Sequence, residues 1–143
     1  MNSTGRKLRV LFLCTGNSCR SQMAEGFARA FKSDFIEAYS AGMVAKGLDP
    51  RAVKVMADAG VDISGQKSKT LADLQGQSFD LVVTVCGAAH EACPILPGKT
   101  RVVHRSFDDP PKLAEGARSE EEALAPYRRV RDELRRFIES MTG

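Results

Sequence analysis

The sequence predicts an α/β protein, a four-stranded parallel sheet with helices on both faces in three layers, all within one domain over residues 1–143. Two apolar runs carry the prediction. Residues 8–13 and 81–85 have the length and composition of buried strands, and each is followed at once by a cysteine, Cys14 and Cys86. Between and after them the apolar period changes to that of helices. A chain of 143 residues can bury about two thirds of its unfolded surface around one core, so no second domain is needed.

In order along the chain, residues 1–7 are polar and carry no packing pattern. Residues 8–13 form the first strand. From Gln22 onward Met23, Phe27, Ala30 and Phe31, with Ala24 and Ala28 beside them, mark one face of a helix. Residues 35–40 are a second strand, closed by Ala41-Gly42. Asp49-Pro50 supplies an N-cap acid and a first-turn proline, which predicts a helix with Val53, Met56 and Ala57 inward and Gly60 at its end. Residues 61–79 are small and polar, with a short helix near 71–74. Leu81-Val82-Val83-Thr84-Val85 is the clearest strand, and residues 100–104 give a fourth. Phe107-Asp108-Asp109-Pro110-Pro111 is a loop stiffened by prolines. Ser119 with Glu122 makes a capping box, and Val130, Leu134, Phe137, Ile138 and Met141 mark a final amphipathic helix. Pro126 predicts a break or a fresh helix start within that segment.

Composition narrows the function. The net charge of +3 is small, and basic residues alternate with acids, which argues against nucleic-acid binding; the Glu- and Arg-rich C-terminal segment reads as a solvated helix face. No apolar run approaches the roughly 20 residues of a membrane span, and residues 1–9 lack the apolar core of a signal peptide, so the expected location is cytoplasmic. There, cysteines serve catalysis, bind metal or pack in the core more often than they form structural disulfides. Cys14, Cys19, Cys86 and Cys93 contain no C-x-x-C pair, which argues against a zinc site completed by His90 and His104.

The chemistry concentrates in Cys14-Thr15-Gly16-Asn17-Ser18-Cys19-Arg20-Ser21, a C-x5-R-S loop between the first strand and the first helix. Backbone N–H groups of a loop entering a helix N-terminus converge on a tetrahedral anion. With the Arg20 guanidinium they stabilise a thiolate at Cys14, drawing it below the free thiol value of about 8.5 and making it the candidate nucleophile. Arg20 also offers a planar fork to two anion oxygens. Cys19, in the same loop, is expected to pack in the core. Asp109 is the candidate general acid for the departing oxygen; Asp108 is its rival, and Pro110 fixes the chain beside Asp109.

Cys86 and Cys93 flank Gly87-Ala88-Ala89-His90-Glu91-Ala92, a small and polar stretch unlike core. Were it helical, the two Cα atoms would stand about 10 Å apart. A disulfide needs about 4.4–6.8 Å, so a bond between them requires this segment to unwind, and it is read as redox-mobile.

With these residues in hand the chain resembles the thioredoxin-coupled arsenate reductases built on the low-molecular-weight protein tyrosine phosphatase fold. The likeness runs through residues 14–26, Tyr39-Ser40-Ala41-Gly42, Asp62-Ile63-Ser64, residues 81–86, Cys93-Pro94-Ile95-Leu96-Pro97 and Phe107-Asp108-Asp109-Pro110. The first and last motifs are shared in part with the phosphatases; the extra cysteine pair resembles the reductases specifically. The resemblance implies strand order 2-1-3-4. It implies a substrate, arsenate, held by the amides of residues 15–21 and Arg20 and attacked by Cys14, with Ser21 stabilising the thiolate and Asp109 protonating the leaving oxygen. Cys86 would then attack Cys14, releasing arsenite, and Cys93 would attack Cys86 to leave a disulfide that thioredoxin reduces.

Some members of that family hold potassium through residues matching Asn17, Glu25 and Ser40 and an aspartate. Here Lys69 stands in the aspartate's place, so its ammonium is expected to substitute for the cation and brace Asn17 through Glu25; no bound cofactor or metal is expected. Arg105 replaces an aromatic residue common in the family, either enriching the cleft mouth in positive charge or lying solvated. A monomer is expected. A phosphatase acting on phosphotyrosine or small phosphate esters is the alternative, and an oxyanion-sensing module without catalysis is the third.

Overall fold

A computed structural model describes residues 7–85 and 100–141. Cys86, His90 and Cys93 lie outside the described residues, and with them the redox-mobile segment expected from the sequence. The element order is β1 (Leu8–Cys14), α1 (Arg20–Phe31), β2 (Ile36–Gly42), α2 (Pro50–Asp58), a 3-10 turn (Leu71–Leu74), β3 (Leu81–Thr84), β4 (Arg101–His104), α3 (Pro110–Leu113) and α4 (Glu120–Glu139). The strands are all parallel and form one sheet in the order β2-β1-β3-β4, the order the resemblance implies. Crossover helices cover the sheet, so β1 and β3, paired on both sides, are apolar nearly throughout.

Register brings the functional ends of the strands level. Leu13 stands opposite both Ala41 and Thr84, and Cys14 opposite Gly42. The thiol therefore leaves the sheet at the carboxyl end of an inner strand, the edge where open α/β sheets take their ligands. Val10, Leu11, Phe12 and Leu13 are fully buried; against them pack Met23, Ala24, Phe27 and Ala28 of α1 and Val130, Leu134 and Ile138 of α4, in one hydrophobic cluster.

Three local expectations shift. The α1 helix begins at Arg20 rather than Gln22, which puts the guanidinium in its first turn, and at its far end Ala30 and Phe31 are exposed. Phe31 instead stacks on Phe27 at 5.7 Å and lies beneath the Arg135 guanidinium at 5.0 Å. On α2 the inward residues are Ala52, Val55 and Met56, with Val53 only half-buried and Ala57 exposed, a small rotation of the expected face. Pro126 produces no break: α4 runs unbroken from Glu120 to Glu139. A proline inside a helix forgoes one hydrogen bond and costs about 3 kcal/mol. Burial of Ala123, Leu124, Tyr127 and Val130 around it, with a polar tie from Tyr127, offsets that local cost.

Candidate active site

The loop of residues 14–21 is held from two sides. From the β2–α2 connection, Met43 N–H donates to Thr15 O (2.9 Å), Lys46 N–H to Gly16 O (2.9 Å) and Asp49 N–H to Ser18 O (3.0 Å). Those bonds engage the loop's carbonyl oxygens, and among the described residues no carbonyl receives a backbone N–H from residues 16–20. Gly42 allows the close approach this requires, because a Cβ there would stand 2.6 Å from Asn17 N and 2.8 Å from Thr15 O.

Asn17 is the centre of the bracing. It is the one non-glycine residue with positive φ among the described residues (46°), and it is fully buried. Its Nδ2 donates to Ser21 Oγ and Ser40 Oγ, each at 2.9 Å. Its Oδ1 accepts from Lys69 N (2.7 Å) and Gln22 Nε2 (2.9 Å), and its carbonyl accepts from Ser68 Oγ (2.8 Å). Ser21 Oγ, which receives a hydrogen from Asn17, also shares a hydrogen bond with Cys14 Sγ, 2.9 Å away. Likewise Ser40 Oγ donates onward to Glu25 Oε1 at 2.5 Å. The two donors of one amide thus reach both serines of this chain of bonds.

Glu25 anchors the far end with its side chain almost fully buried. Arg29 Nε sits 2.8 Å from its Oε2, and Lys69 Nζ 3.8 Å from its Oε1 while donating to Lys67 O at 2.8 Å. Lys69 therefore reaches Asn17 twice, directly through its backbone and indirectly through Glu25 and Ser40. Gln22 fastens the loop to residues 66–69: its Nε2 donates to Lys67 O at 2.9 Å and its Oε1 accepts from Gln66 Nε2 at 2.7 Å.

Above this floor opens a cleft of ≈ 320 Å³ lined by Cys14, Thr15, Gly16, Ser18, Cys19 and Arg20, with Lys46, Asp49, Asp109 and Pro111 at its sides. Arg20 spans it, its NH1 donating to Phe107 O (2.9 Å) and its NH2 lying 3.5 Å from Asp109 Oδ1. Arg20 Nε is buried and has no hydrogen-bond partner among the described residues. A buried charged donor left unpaired in a cleft is unfavourable unless a ligand oxygen completes it. Cys19 is buried at the start of α1, and burial, with the Asp49 carboxylate adding to it, pushes its thiol well above the usual range. It remains a neutral thiol beside the cleft.

The two candidate acids part company. Asp108 is exposed and paired with Arg129 of α4 at 2.8 Å, whereas Asp109 lines the cleft beside Arg20. Arg105 is not among the residues lining this cleft, and its guanidinium lies over the Phe107 and Phe137 rings at 5.5 and 5.3 Å. His104 shares a 2.8 Å hydrogen bond with Thr84. Sequence reasoning did not single out Gln22, Arg29, Lys46, Gln66, Ser68 or Tyr127, and it took Asp49 for a helix cap alone. Gln22 alone left a signal, being a polar residue in the first turn of an otherwise apolar helix face.

The chain matches the family model of the low molecular weight phosphotyrosine protein phosphatases over residues 9–142. It is 50% identical over 131 residues to an arsenate reductase of Halalkalibacterium halodurans, covering 92% of each protein. Among solved structures it is similar to an arsenate reductase in its phosphate-binding state (29% identity, TM-score 0.69, 92% of this chain and 94% of that one). It is also similar to a low molecular weight protein tyrosine phosphatase from T. tengcongensis (31% identity, TM-score 0.68, 93% and 96%).

Proposed function

The chain belongs to the low molecular weight phosphotyrosine protein phosphatase family, and from that premise we propose that it reduces arsenate to arsenite with electrons from thioredoxin. The observation that carries the oxyanion half of the proposal is the unpartnered Arg20 Nε, buried in a cleft with the Cys14 thiol and the N-terminus of α1. Curated relatives at about this similarity bear the name arsenate reductase, and Cys86 and Cys93 supply the sulfurs that a phosphatase does not need.

In the proposed reaction arsenate sits on the N–H groups of residues 15–21 and on Arg20. The hydrogen bond from Ser21 favours the thiolate of Cys14, which attacks arsenic as one arsenate oxygen leaves as water, taking a proton from Asp109. Cys86, as a thiolate, then attacks the Cys14 sulfur. The electron pair of the S–As bond goes to arsenic, which leaves as arsenite; As(V) becomes As(III), and two thiols become the 14–86 disulfide. Cys93 attacks Cys86 and returns Cys14 as a thiolate, and thioredoxin restores the 86–93 pair with two electrons and two protons. Lys69 and Arg29 both compensate Glu25, a site that does not suit potassium, so the proposal includes no bound cation. It places the protein in the cytoplasm as a monomer, without nucleic-acid or membrane partners; no described helix is long and apolar enough to cross a membrane.

The second reading is a phosphatase acting on phosphotyrosine or small phosphate esters. The same Cys14, Arg20 and Asp109 favour it, because they serve phosphorus as well as arsenic. One comparison separates the two: arsenate-dependent NADPH oxidation with thioredoxin and thioredoxin reductase, against hydrolysis of an aryl phosphate. Arsenate turnover is expected to dominate; brisk ester hydrolysis without arsenate-dependent NADPH use reverses the assignment. Cys93→Ser is expected to trap a bond between Cys14 and Cys86 after one turnover, seen by non-reducing peptide mapping.

A further inference from the structure

Asp49 sets a carboxylate on the wall of a cleft built for an anion. Its charge opposes the substrate, and its effect is felt by Cys19, whose thiol it helps to push up. Yet its oxygens are turned to other work. Oδ1 accepts from Arg51 N (2.9 Å), capping α2, and Oδ2 accepts from the Tyr127 hydroxyl (2.7 Å) on α4. Tyr127 is buried, and burial first, then the bond to Asp49, push its hydroxyl far above the ordinary phenol range, so it is a permanent donor. Two further ties bind α2 to α4: the Arg51 ion pair with Glu120 (3.1 Å) and the bond from Arg131 NH1 to Val55 O (2.9 Å). Through Asp49 N–H and Ser18 O this assembly reaches the anion loop itself.

We propose that Tyr127 is a positioning residue for oxyanion binding, holding the Asp49 carboxylate against α4 and away from the anion. The inference rests on the cleft being an oxyanion site. Tyr127 touches no substrate; it acts through Asp49. Without its hydroxyl, Oδ2 loses its donor, and a charge-assisted bond is replaced by a carboxylate oxygen that competes with the substrate for Arg20 and the loop amides. The neutral side chain of asparagine, an equally good helix cap, removes that competition.

The experiment measures binding of inorganic phosphate, a tetrahedral dianion that is not reduced, by calorimetry on the whole chain, together with steady-state arsenate kinetics. The set is wild type, Tyr127→Phe, Asp49→Asn and the double variant. Tyr127→Phe is expected to weaken phosphate binding and raise KM for arsenate about tenfold at low salt, with kcat changed less than about twofold. The loss should shrink as ionic strength rises and vanish in the Asp49→Asn background. A purely structural role would give a salt-independent loss that persists beside Asp49→Asn, and that result overturns the proposal. So does unchanged phosphate affinity in Tyr127→Phe. Failure of the wild type to bind phosphate at all instead removes the oxyanion reading of the cleft, and this inference with it.

Discussion

The floor of the cleft and its acidic rim are held by different means. On the floor, Asn17 and Ser21 are fully buried, and each polar atom of Asn17's side chain has protein partners fixed before any ligand arrives. At the rim, Asp109 is partly exposed and meets Arg20 at 3.5 Å, and its neighbour Asp108 is tied to α4 by a surface pair. Preorganised donors in a buried site do not need to reorganise when charge develops, whereas a group that must give up a proton and take it back needs access to water and freedom to move. In the proposed reaction, binding and attack thus fall to the rigid half, and proton delivery to the adjustable half.

Substitutions can break or sharpen this contrast. Cys14→Ser should abolish arsenate-dependent NADPH oxidation, by at least about a thousandfold, while phosphate binding survives, because the floor holds the anion without the sulfur. Asn17→Ala should come next, lowering kcat/KM about a hundredfold and stability by about 2–4 kcal/mol, seen as a lowered denaturation midpoint. At the rim, Asp109→Asn should reduce kcat by about one to two orders of magnitude with little change in stability or phosphate affinity, the reverse of the coupled loss on the floor. Asp108→Asn should stay within about twofold of wild type, since it severs only a surface pair. Smallest of all, exchanging potassium for another monovalent cation at fixed ionic strength should leave the rate unchanged; a marked activation by potassium would show that Lys69 and Arg29 do not replace a cation at Glu25.

The same contrast separates what the sequence discloses from what it hides. The strands, α1 and the C-x5-R-S loop were legible because their signals are local: apolar period, composition and a motif of contiguous residues. The bracing was legible only in part: the resemblance named Asn17, Glu25, Ser40 and Lys69, whereas Gln22, Ser68 and the Lys69 backbone stayed hidden, because nothing in a linear pattern says that an amide 52 residues away will point at the Asn17 oxygen. Pro126 was misread for the converse reason: a sound local rule gave way to packing around Tyr127 that only the folded chain supplies. Arg105 shows a third kind of opacity. Its charge suggested the cleft or the solvent; it is exposed, and the Phe107 and Phe137 rings beneath its guanidinium carry no signal in the linear pattern.

Asn17 has a consequence for how this protein can change over generations. Its backbone conformation favours glycine, asparagine or aspartate. Glycine has no side chain to offer Ser21 and Ser40, and aspartate has oxygens where two N–H donors are needed. The backbone and the hydrogen-bond directions each admit several residues, and together they admit one. A randomised library at this position, selected for growth in arsenate, should return asparagine alone, so this lineage can drift at many surface sites while residue 17 stays fixed.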